Sequence, residues 1–431
     1  MATGANNNGV TLSSADAFFK QWYLAGGGLN RLMYEADPFL GRLKRLPATT
    51  ITGGDEIVVP IRVGRSPTQS KTFSDAQSQA KARTGERKKW ILKTDDEYGV
   101  IRVSDKSILA SKTDRGAFVR LLRDEANSVI DGVSQRRCTA LFAGQPGLAG
   151  TVKSTAASTF TLNLAHQTTA FDIGDSIEFR NPSARAVKRA GFPWVITKVN
   201  RASGLITLDK AIGSAVVAND EVYRVGDYGV TAMTGLNSWI PKSLAGLGTL
   251  NNVDRTLDPL RLAGHKLQMG AADRFDDSIR KLCAQVNQLT GKNPSIAVMS
   301  PLVENELAKE QRAQIRFDND MGSGAAMTIG AGIGGLSIKT AKGPVEVVTS
   351  AFAPTDTIWV LNESDLALYY LADEGGDFVF FKKSPEGGIF KMAHDSAGIE
   401  ARVESFGNFA MQAPGLHGRV DLEASKIPTF S

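Results

Sequence analysis

Cysteine is nearly absent from this chain, which contains only Cys138 and Cys283 among its 431 residues. Two isolated thiols cannot build a disulfide framework, and their spacing matches no zinc motif. Both lie within patterns typical of helices. We therefore expect two buried thiols in a protein made in a reducing compartment.

Histidine is also scarce, and long apolar runs are missing. No histidine lies within helical or hairpin reach of another histidine or of a cysteine, and the four are His166, His265, His394 and His417. A metal site is therefore not expected, and ordinary surface histidines are. No run of about 18 apolar residues indicates a transmembrane helix. The N-terminus lacks the basic and then apolar pattern of a secretory signal, so we expect no membrane partner.

Familiar catalytic motifs are missing as well. The sequence has no Walker-type loop, nucleophile elbow or His-Glu-x-x-His motif. Residues 330–335 do satisfy G-x-G-x-x-G, through Gly330, Gly332 and Gly335. A strand-like run follows them instead of a helix, which favours a flexible loop over a dinucleotide site. We predict a protein that is not an enzyme and has no cofactor; a nucleotide-binding α/β enzyme using this loop is the alternative.

The composition is that of a folded protein. Apolar residues make up 42% of the chain, and the length suits two or three domains with separate cores. The net charge of +5 permits an anionic partner without identifying one.

The sequence predicts one long amphipathic helix at residues 113–144. Apolar side chains recur there at steps of three or four, with one skipped turn between the last two: Phe118, Leu122, Ala126, Val129, Val133 and Ala140. This spacing places them on one helical face. Thr113 or Asp114 can cap the start, and Gly144 can end the helix. At 1.5 Å per residue the helix would be about 45 Å long, which suits a spine that other elements pack against.

The first 50 residues contain short apolar pieces broken by glycine and proline. No piece is long enough to build a core of its own. One piece contains the aromatic residues Phe18, Phe19, Trp22 and Tyr23. We interpret this segment as an arm that lies across another surface, either its own domain or a neighbouring copy.

The next segment changes to a period of two. It predicts a strand at residues 57–63 with its return at residues 89–93 and 98–103. The connection between them is long and polar, and such loops are usually functional. Basic residues outnumber Asp75 and Glu86 in it: Arg62, Arg65, Lys71, Lys81, Arg83, Arg87, Lys88, Lys89 and Lys93. We predict a projecting hairpin that needs an acidic partner surface; a solvated loop is the alternative.

Two acidic clusters occur, at residues 94–97 and 373–377. Such clusters can bind a cation, although solvated turns are more common. The first could also accept the basic arm of a neighbouring copy.

Residues 151–228 contain five short β runs separated by turn signals, which predict a small barrel or sandwich. Helix-forming sequence precedes and follows it, so it appears as an insertion with a role in binding or stabilisation. Residues 229–375 are mixed, with helices expected at about 258–270 and 271–289 and an α/β layer whose last strand is at 367–370. Residues 376–431 are β-rich and are expected to return to the spine.

This order of parts resembles the major capsid protein of tailed bacteriophages, an α+β chain with the Hong Kong 97-type fold that encapsulin shells share. The resemblance covers most of the chain. It is carried by Asp37-Pro38-Phe39, the projecting loop at 57–103, the helix at 114–142, and residues 297–301 and 343–348. The divisions that it implies are an N-terminal arm (1–50), an extended E-loop (51–103), the spine helix and peripheral domain (104–150), the inserted β-domain (151–228), an axial α/β domain with part of the peripheral domain (229–375), and a C-terminal β return (376–431).

The resemblance implies a function without catalysis. The chain would self-assemble into hexamers and pentamers of an icosahedral virion head that encloses double-stranded DNA, which it contacts non-specifically. Assembly would take place in the host cytoplasm with a separate scaffolding protein, a portal and a possible decoration protein. The intersubunit residues would be Arg65, Lys71, Lys81, Arg83, Arg87, Lys88 and Lys89 of the E-loop and Phe18, Phe19, Trp22 and Tyr23 of the arm. Lys71 and Lys81 could act as cross-link donors, but nothing in the sequence predicts that reaction. An encapsulin-like compartment is the alternative shell.

Overall fold

The computed structural model describes residues 37–47, 56–64, 69–82, 87–104, 115–213, 215–228, 232–312, 337–371, 379–382, 388–392 and 398–428. Several residues that the sequence analysis names lie outside this part of the chain: Phe18, Phe19, Trp22, Tyr23, Arg65, Arg83, Gly330, Gly332, Gly335 and His394. The acidic cluster at 373–377 also lies outside it.

The described part of the chain contains both helices and strands. The helices are α1 (Pro38–Arg42), α2 (Phe73–Ala82), α3 (Arg115–Phe142), α4 (Leu236–Trp239), α5 (Pro259–Ala263), α6 (Phe275–Thr290) and α7 (Pro301–Arg312). The first strands are β1 (Lys44–Pro47), β2 (Glu56–Arg62), β3 (Arg87–Lys93), β4 (Asp95–Ser104), β5 (Leu148–Ala156), β6 (Thr159–Leu162), β7 (Ser176–Arg180), β8 (Trp194–Asn200), β9 (Leu205–Leu208), β10 (Glu221–Arg224) and β11 (Thr249–Leu250). The others are β12 (Val253–Asp254), β13 (His265–Gln268), β14 (Ile296–Met299), β15 (Ser337–Thr340), β16 (Gly343–Thr349), β17 (Thr357–Leu361), β18 (Leu366–Tyr370), β19 (Val379–Phe381), β20 (Lys391–Met392), β21 (Gly398–Met411) and β22 (Gly418–Asp421).

The predicted long helix is confirmed as α3, which has 28 residues. Ala126, Ile130 and Val133 on its apolar face are buried. The face packs against β4, where Gly99 permits close approach: a Cβ atom there would lie 2.6 Å from Val129 Cγ1. The helix therefore has the role expected of a spine, because a strand that follows the hairpin packs on it directly.

Two glycines, Gly99 in the contact and Gly132 on an open side of α3, are expected to respond to substitution in opposite directions. Gly132 of α3 has no atom within 4 Å of a built Cβ, so Gly132→Ala should raise the free energy of unfolding by about 1 kcal/mol through helix propensity. Gly99→Ala should lower it by about 1–3 kcal/mol, because Val129 must shift. Urea unfolding of both variants measures this, and equal effects of one sign would contradict the packing.

The first six-stranded sheet is built around β21. This strand pairs antiparallel with β4 along residues 398–407, and its other edge pairs with β18, β19 and β20, while β1 runs parallel to β18. The prediction that residues 98–103 return along the hairpin is therefore wrong. The apolar positions Ile101 and Val103 are buried beside α3, which draws β4 into this sheet.

The second six-stranded sheet has the order β13-β22-β17-β14-β16-β15. Ile279, Leu282 and Val286 of α6 are buried in its core, whereas Leu289, which the pattern placed on the same face, is 62% exposed. The predicted helix at 258–270 is wrong beyond Ala263, because Gly264 (φ +74°) ends α5 and β13 follows. Residues 367–370 were expected in the α/β layer but lie in the first sheet as part of β18. The C-terminal segment was expected to return to the spine, but its strand β22 lies in the second sheet.

A closed six-stranded barrel, in the order β10-β5-β6-β9-β8-β7, extends from Leu148 to Arg224. Its core contains Phe160, Phe179 and Trp194, whose rings meet edge to face at 5.0 and 5.1 Å between centroids. The strand β5 begins at residue 148, before the boundary predicted at 151. The barrel follows α3 after a short turn, so the helix supports it from one end.

The hairpin consists of β2 and β3, which pair antiparallel from Glu56 opposite Lys93 to Arg62 opposite Arg87. Trp90 of β3 is fully buried and contacts Trp239 edge to face at 5.0 Å. The sequence analysis expected the connection to be a polar loop without regular structure. The structure instead contains α2 within it. Its run of serine, glutamine and alanine has adequate helix propensity, and the Thr72 hydroxyl donates to the Asp75 carboxylate at 2.5 Å.

Candidate assembly surfaces

The far end of the hairpin is basic and exposed. The side chains of Arg87, Lys88 and Lys89 are exposed along β3, and Lys71 is exposed just before α2. Lys81 lies in α2. Of the predicted basic set, Arg87, Lys88 and Lys89 follow one another along β3, Lys71 and Lys81 lie in the connection, and Arg65 and Arg83 lie outside the described residues.

Helix α2 has no buried face among the residues whose exposure is described. From Phe73 to residue 80, every side chain is exposed except the half-buried Ala76, and Phe73 itself is 83% exposed. A helix of about ten residues is marginal in water by itself, since nucleation is unfavourable and its stability comes from packing. The helix therefore lacks, within the described part of its own chain, the contact that would stabilise it.

The end of the N-terminal segment packs on its own chain. Asp37 accepts the Phe39 N–H at 2.7 Å as the cap of α1 and also accepts the Ser350 hydroxyl. Arg42 forms a bidentate pair with Glu346, in which Nη1 donates at 2.8 Å, and this hydrogen bond lowers the pKa of Glu346. For residues 37–47 the locally docked alternative is therefore correct. The predicted contacts of Phe18, Phe19, Trp22 and Tyr23 lie outside the described residues.

The acidic cluster at residues 94–97 is not a solvated turn, which corrects the more common interpretation. Thr94 and Asp95 are buried where β4 begins, and the guanidinium of fully buried Arg137 lies 3.8 Å from the Asp95 carboxylate. Burial raises the pKa of Asp95 to about 7, although Arg137 opposes this. Sequence analysis missed Arg137, yet the signal was present: it occupies the skipped turn of the apolar stripe in α3.

A groove separates α3, β4 and the barrel beside this pair. Its first cavity has a volume of about 390 Å³ and is lined by both acidic and basic side chains. Arg136 donates a hydrogen bond to Asp227 across the groove. Arg224 lies 3.7 Å from Asp175, and burial raises the pKa of Glu97. Arg136, Asp227 and Asp175 remain partly exposed, whereas Arg224 is mostly buried and is compensated by its acidic neighbours.

The pH dependence of stability should include a contribution from the titration of Asp95. Its pKa is raised from 3.8 to about 7 in the folded chain, so the protonated form is favoured by folding. The contribution of Asp95 to the free energy of unfolding should therefore fall as pH rises from about 4 through 7, whereas His166, with its pKa lowered to about 4, contributes in the opposite direction. Asp95→Asn should make the slope of the unfolding free energy against pH less negative in urea unfolding at several pH values, leaving the contributions of other groups, including Glu97 and His166. Asp131→Asn, on the exposed face of α3, is the control; an unchanged slope in Asp95→Asn would contradict the assignment.

The described histidines and both cysteines are buried or half-buried in the protein. His417 is fully buried, with Nε2 2.9 Å from Asp365 Oδ2 and Nδ1 accepting the Asn362 N–H at 3.0 Å. His166 Nδ1 lies 3.3 Å from the Thr355 hydroxyl, and burial lowers the pKa of His166 to about 4. The expectation of surface histidines is thus wrong for His166 and His417, and also for His265, which is buried. Cys138 and Cys283 are buried and free as expected.

Neither a metal centre nor a membrane helix is found in the described part of the chain. No group of three or more histidine, cysteine, aspartate or glutamate side chains there could hold a metal ion. No described helix is long and apolar enough to cross a membrane.

No protein-family model and no curated protein matches the chain. Solved structures do. The chain is similar to phage capsid and shell proteins. The capsid protein of cyanophage A-1(L) has 12% identity and a TM-score of 0.46, with 89% of this chain and 92% of that chain covered. The encapsulin complex of Synechococcus elongatus has 9% identity and a TM-score of 0.42, with 92% and 91% covered. The virus-like particle of Pyrococcus furiosus has 6% identity and a TM-score of 0.38, with 91% and 96% covered.

Proposed function

We propose that this chain is the major capsid protein of a tailed bacteriophage. It self-assembles into hexamers and pentamers of an icosahedral head that encloses double-stranded DNA. The observation that carries the proposal is the exposed helix α2 at the end of the β2–β3 hairpin, with Phe73 83% exposed. Because a short helix without a buried face is marginal in water, its packing partner is expected on another copy of the chain.

The arrangement of the remaining elements supports this assignment. The first sheet with α3 serves as the peripheral domain, the second sheet as the axial domain, and the barrel as an insertion between them. A hairpin that projects from one copy onto a second, different patch makes a heterologous contact, which closes into rings and shells. Basic side chains that meet the packaged DNA bind its phosphates without reading sequence. Scaffolding, portal and decoration proteins complete the set of partners.

Electron microscopy of the chain expressed with the products of its neighbouring genes tests the proposal. Closed shells, or arrays of hexamers and pentamers, are expected in negative stain. A compact monomer under all of these conditions would overturn it. Nuclease-resistant DNA in the particles would separate a virion head from an encapsulin-like compartment, which would hold cargo protein. Nicotinamide-nucleotide binding that is lost in Gly332→Val would instead support the enzyme alternative.

A further inference from the structure

The connection between β7 and β8, residues 181–193, folds back over the outside of the barrel. Phe179 of β7 lies in the barrel core, so its neighbours Glu178 and Arg180 lie on the outer face of the strand. Both are nevertheless buried, because the returning chain covers them. The Arg189 N–H donates to the Phe179 carbonyl oxygen at 2.9 Å and holds the chain against this face. We call residues 181–193 the barrel strap.

Ion pairs fasten the barrel strap to the barrel. Each of its three cationic side chains pairs with a buried carboxylate on β7, on β10 or directly before β10. The pairs are Arg185 with Glu221 (hydrogen bonds of 2.6 and 2.7 Å), Arg189 with Asp220 (3.0 and 2.7 Å) and Lys188 with Glu178 (2.7 Å). Charge-assisted bidentate pairs are strong and fix the geometry of both partners. The strap therefore presents one defined outer surface.

The polarity of the barrel strap is the reverse of that of an ordinary surface loop. Its charged side chains are all engaged with the barrel, whereas its exposed residues are mostly alanine, proline and glycine. Val187 is 68% exposed and Phe192 is 41% exposed. Val217, which is 50% exposed, lies beside the strap, because its N–H donates to Asp220, the carboxylate that binds Arg189. An exposed apolar surface on a rigid support marks an interaction site.

The chemistry of this surface selects the kind of partner. Binding to DNA phosphates uses cations that are available to them, and every cation of the strap already has a carboxylate partner. An apolar surface whose charges are paired is compatible with a copy of itself, since two such surfaces can meet without like-charge repulsion. The barrel is part of every subunit, so each neighbour in a shell offers the same surface.

We propose that the barrel straps of two copies pack against each other about a two-fold axis through Val187, Phe192 and Val217. This inference rests on the proposed shell function and assigns the barrel a contact of its own. The contact is isologous, because the same patch lies on both sides of the axis. The ion pairs beneath it hold the apolar residues in place before the copies meet, which lowers the entropy lost on association.

Acidic substitutions test whether the surface is buried on assembly. Val187→Asp combined with Val217→Asp places like charges on both sides of the axis and is expected to raise the concentration needed for assembly at least tenfold. Val187→Ile combined with Val217→Ile keeps the surface apolar and should assemble normally. Ile173→Asp is the control for an acidic change on the same barrel, since Ile173 is 72% exposed at the other end of β7. Urea unfolding verifies that each variant is folded.

Cysteine cross-linking tests whether the occupant is a second copy. Val187→Cys, Val217→Cys and the variant with both changes are assembled into shells and oxidised with diamide. A residue near a two-fold axis lies beside its own counterpart, so at least one of these variants should form a covalent dimer on a non-reducing gel. The native Cys138 and Cys283 are buried and do not compete. Ile173→Cys should remain monomeric.

The outcomes separate the inference from the proposed function. Normal assembly of the acidic variant without any cross-linked dimer would overturn the inference, while shells of the unchanged chain uphold the function. Loss of assembly without a dimer would also overturn it, because the strap would then contact a different surface. If the acidic variant assembles but no longer retains a second virion protein, that protein occupies the strap and the inference is wrong. Failure of the unchanged chain to assemble would overturn both.

Discussion

Phe73→Asp is expected to abolish assembly while leaving the isolated chain as stable as before. Phe73 is 83% exposed, so its replacement should change the free energy of unfolding by less than about 0.5 kcal/mol. If its ring is buried on a neighbouring copy, each contact loses about 2 kcal/mol, or about 30-fold in its association constant. Because a shell repeats the contact in every subunit, the losses multiply. Light scattering or negative-stain counting of particles measures the result.

Phe73→Leu is the matched control, since it keeps an apolar side chain at the same position of α2. It should retain most of the assembly that Phe73→Asp loses. Circular dichroism and urea unfolding of the unassembled chains verify that both variants are folded. A normal yield of shells from Phe73→Asp would show that α2 is not buried between copies and would remove the main support for the proposed function.

Gly235→Ala is expected to destabilise the isolated chain by about 3 kcal/mol or more. A Cβ atom at this residue would lie 2.6 Å from the Ala143 carbonyl oxygen and would also clash with the Ala140 carbonyl oxygen. These are backbone atoms at the end of α3, which cannot move without disrupting the helix terminus. Overpacking against backbone belongs to the costliest steric changes. The midpoint of urea unfolding should fall clearly.

Gly248→Ala is the control for Gly235→Ala, because nothing lies within 4 Å of its built Cβ. Gly235 has an extended backbone (φ −75°, ψ 172°), so the expected loss is due to the steric clash and not to a left-handed conformation. An unfolding midpoint equal to that of Gly248→Ala would mean that α3 and α4 are not in contact as described.

The candidate surfaces were only partly predictable. The basic segment of the hairpin was evident from charge counting, because Arg87, Lys88 and Lys89 are consecutive. The exposed helix α2 was missed, since its residues are polar and show no apolar stripe. Arg137 was also missed, because a single charged residue within an apolar stripe is interpreted as a gap in the stripe and not as a buried side chain. Its burial depends on Asp95, which precedes it by over forty residues.

The sequence by itself determined the elements that local periodicity defines. The helix α3, the helix α6 with its glycine stop and the short strands of the barrel follow from spacings of three, four and two. Only the tertiary structure decided which strands pair. It assigned β4 to β21, some 300 residues later, and it exchanged β18 and β22 between the two sheets. The residue pattern of a strand indicates which of its faces is buried, but it does not indicate which strand pairs with it. Pairing depends on which distant strand offers a free backbone edge and side chains that fill the same core.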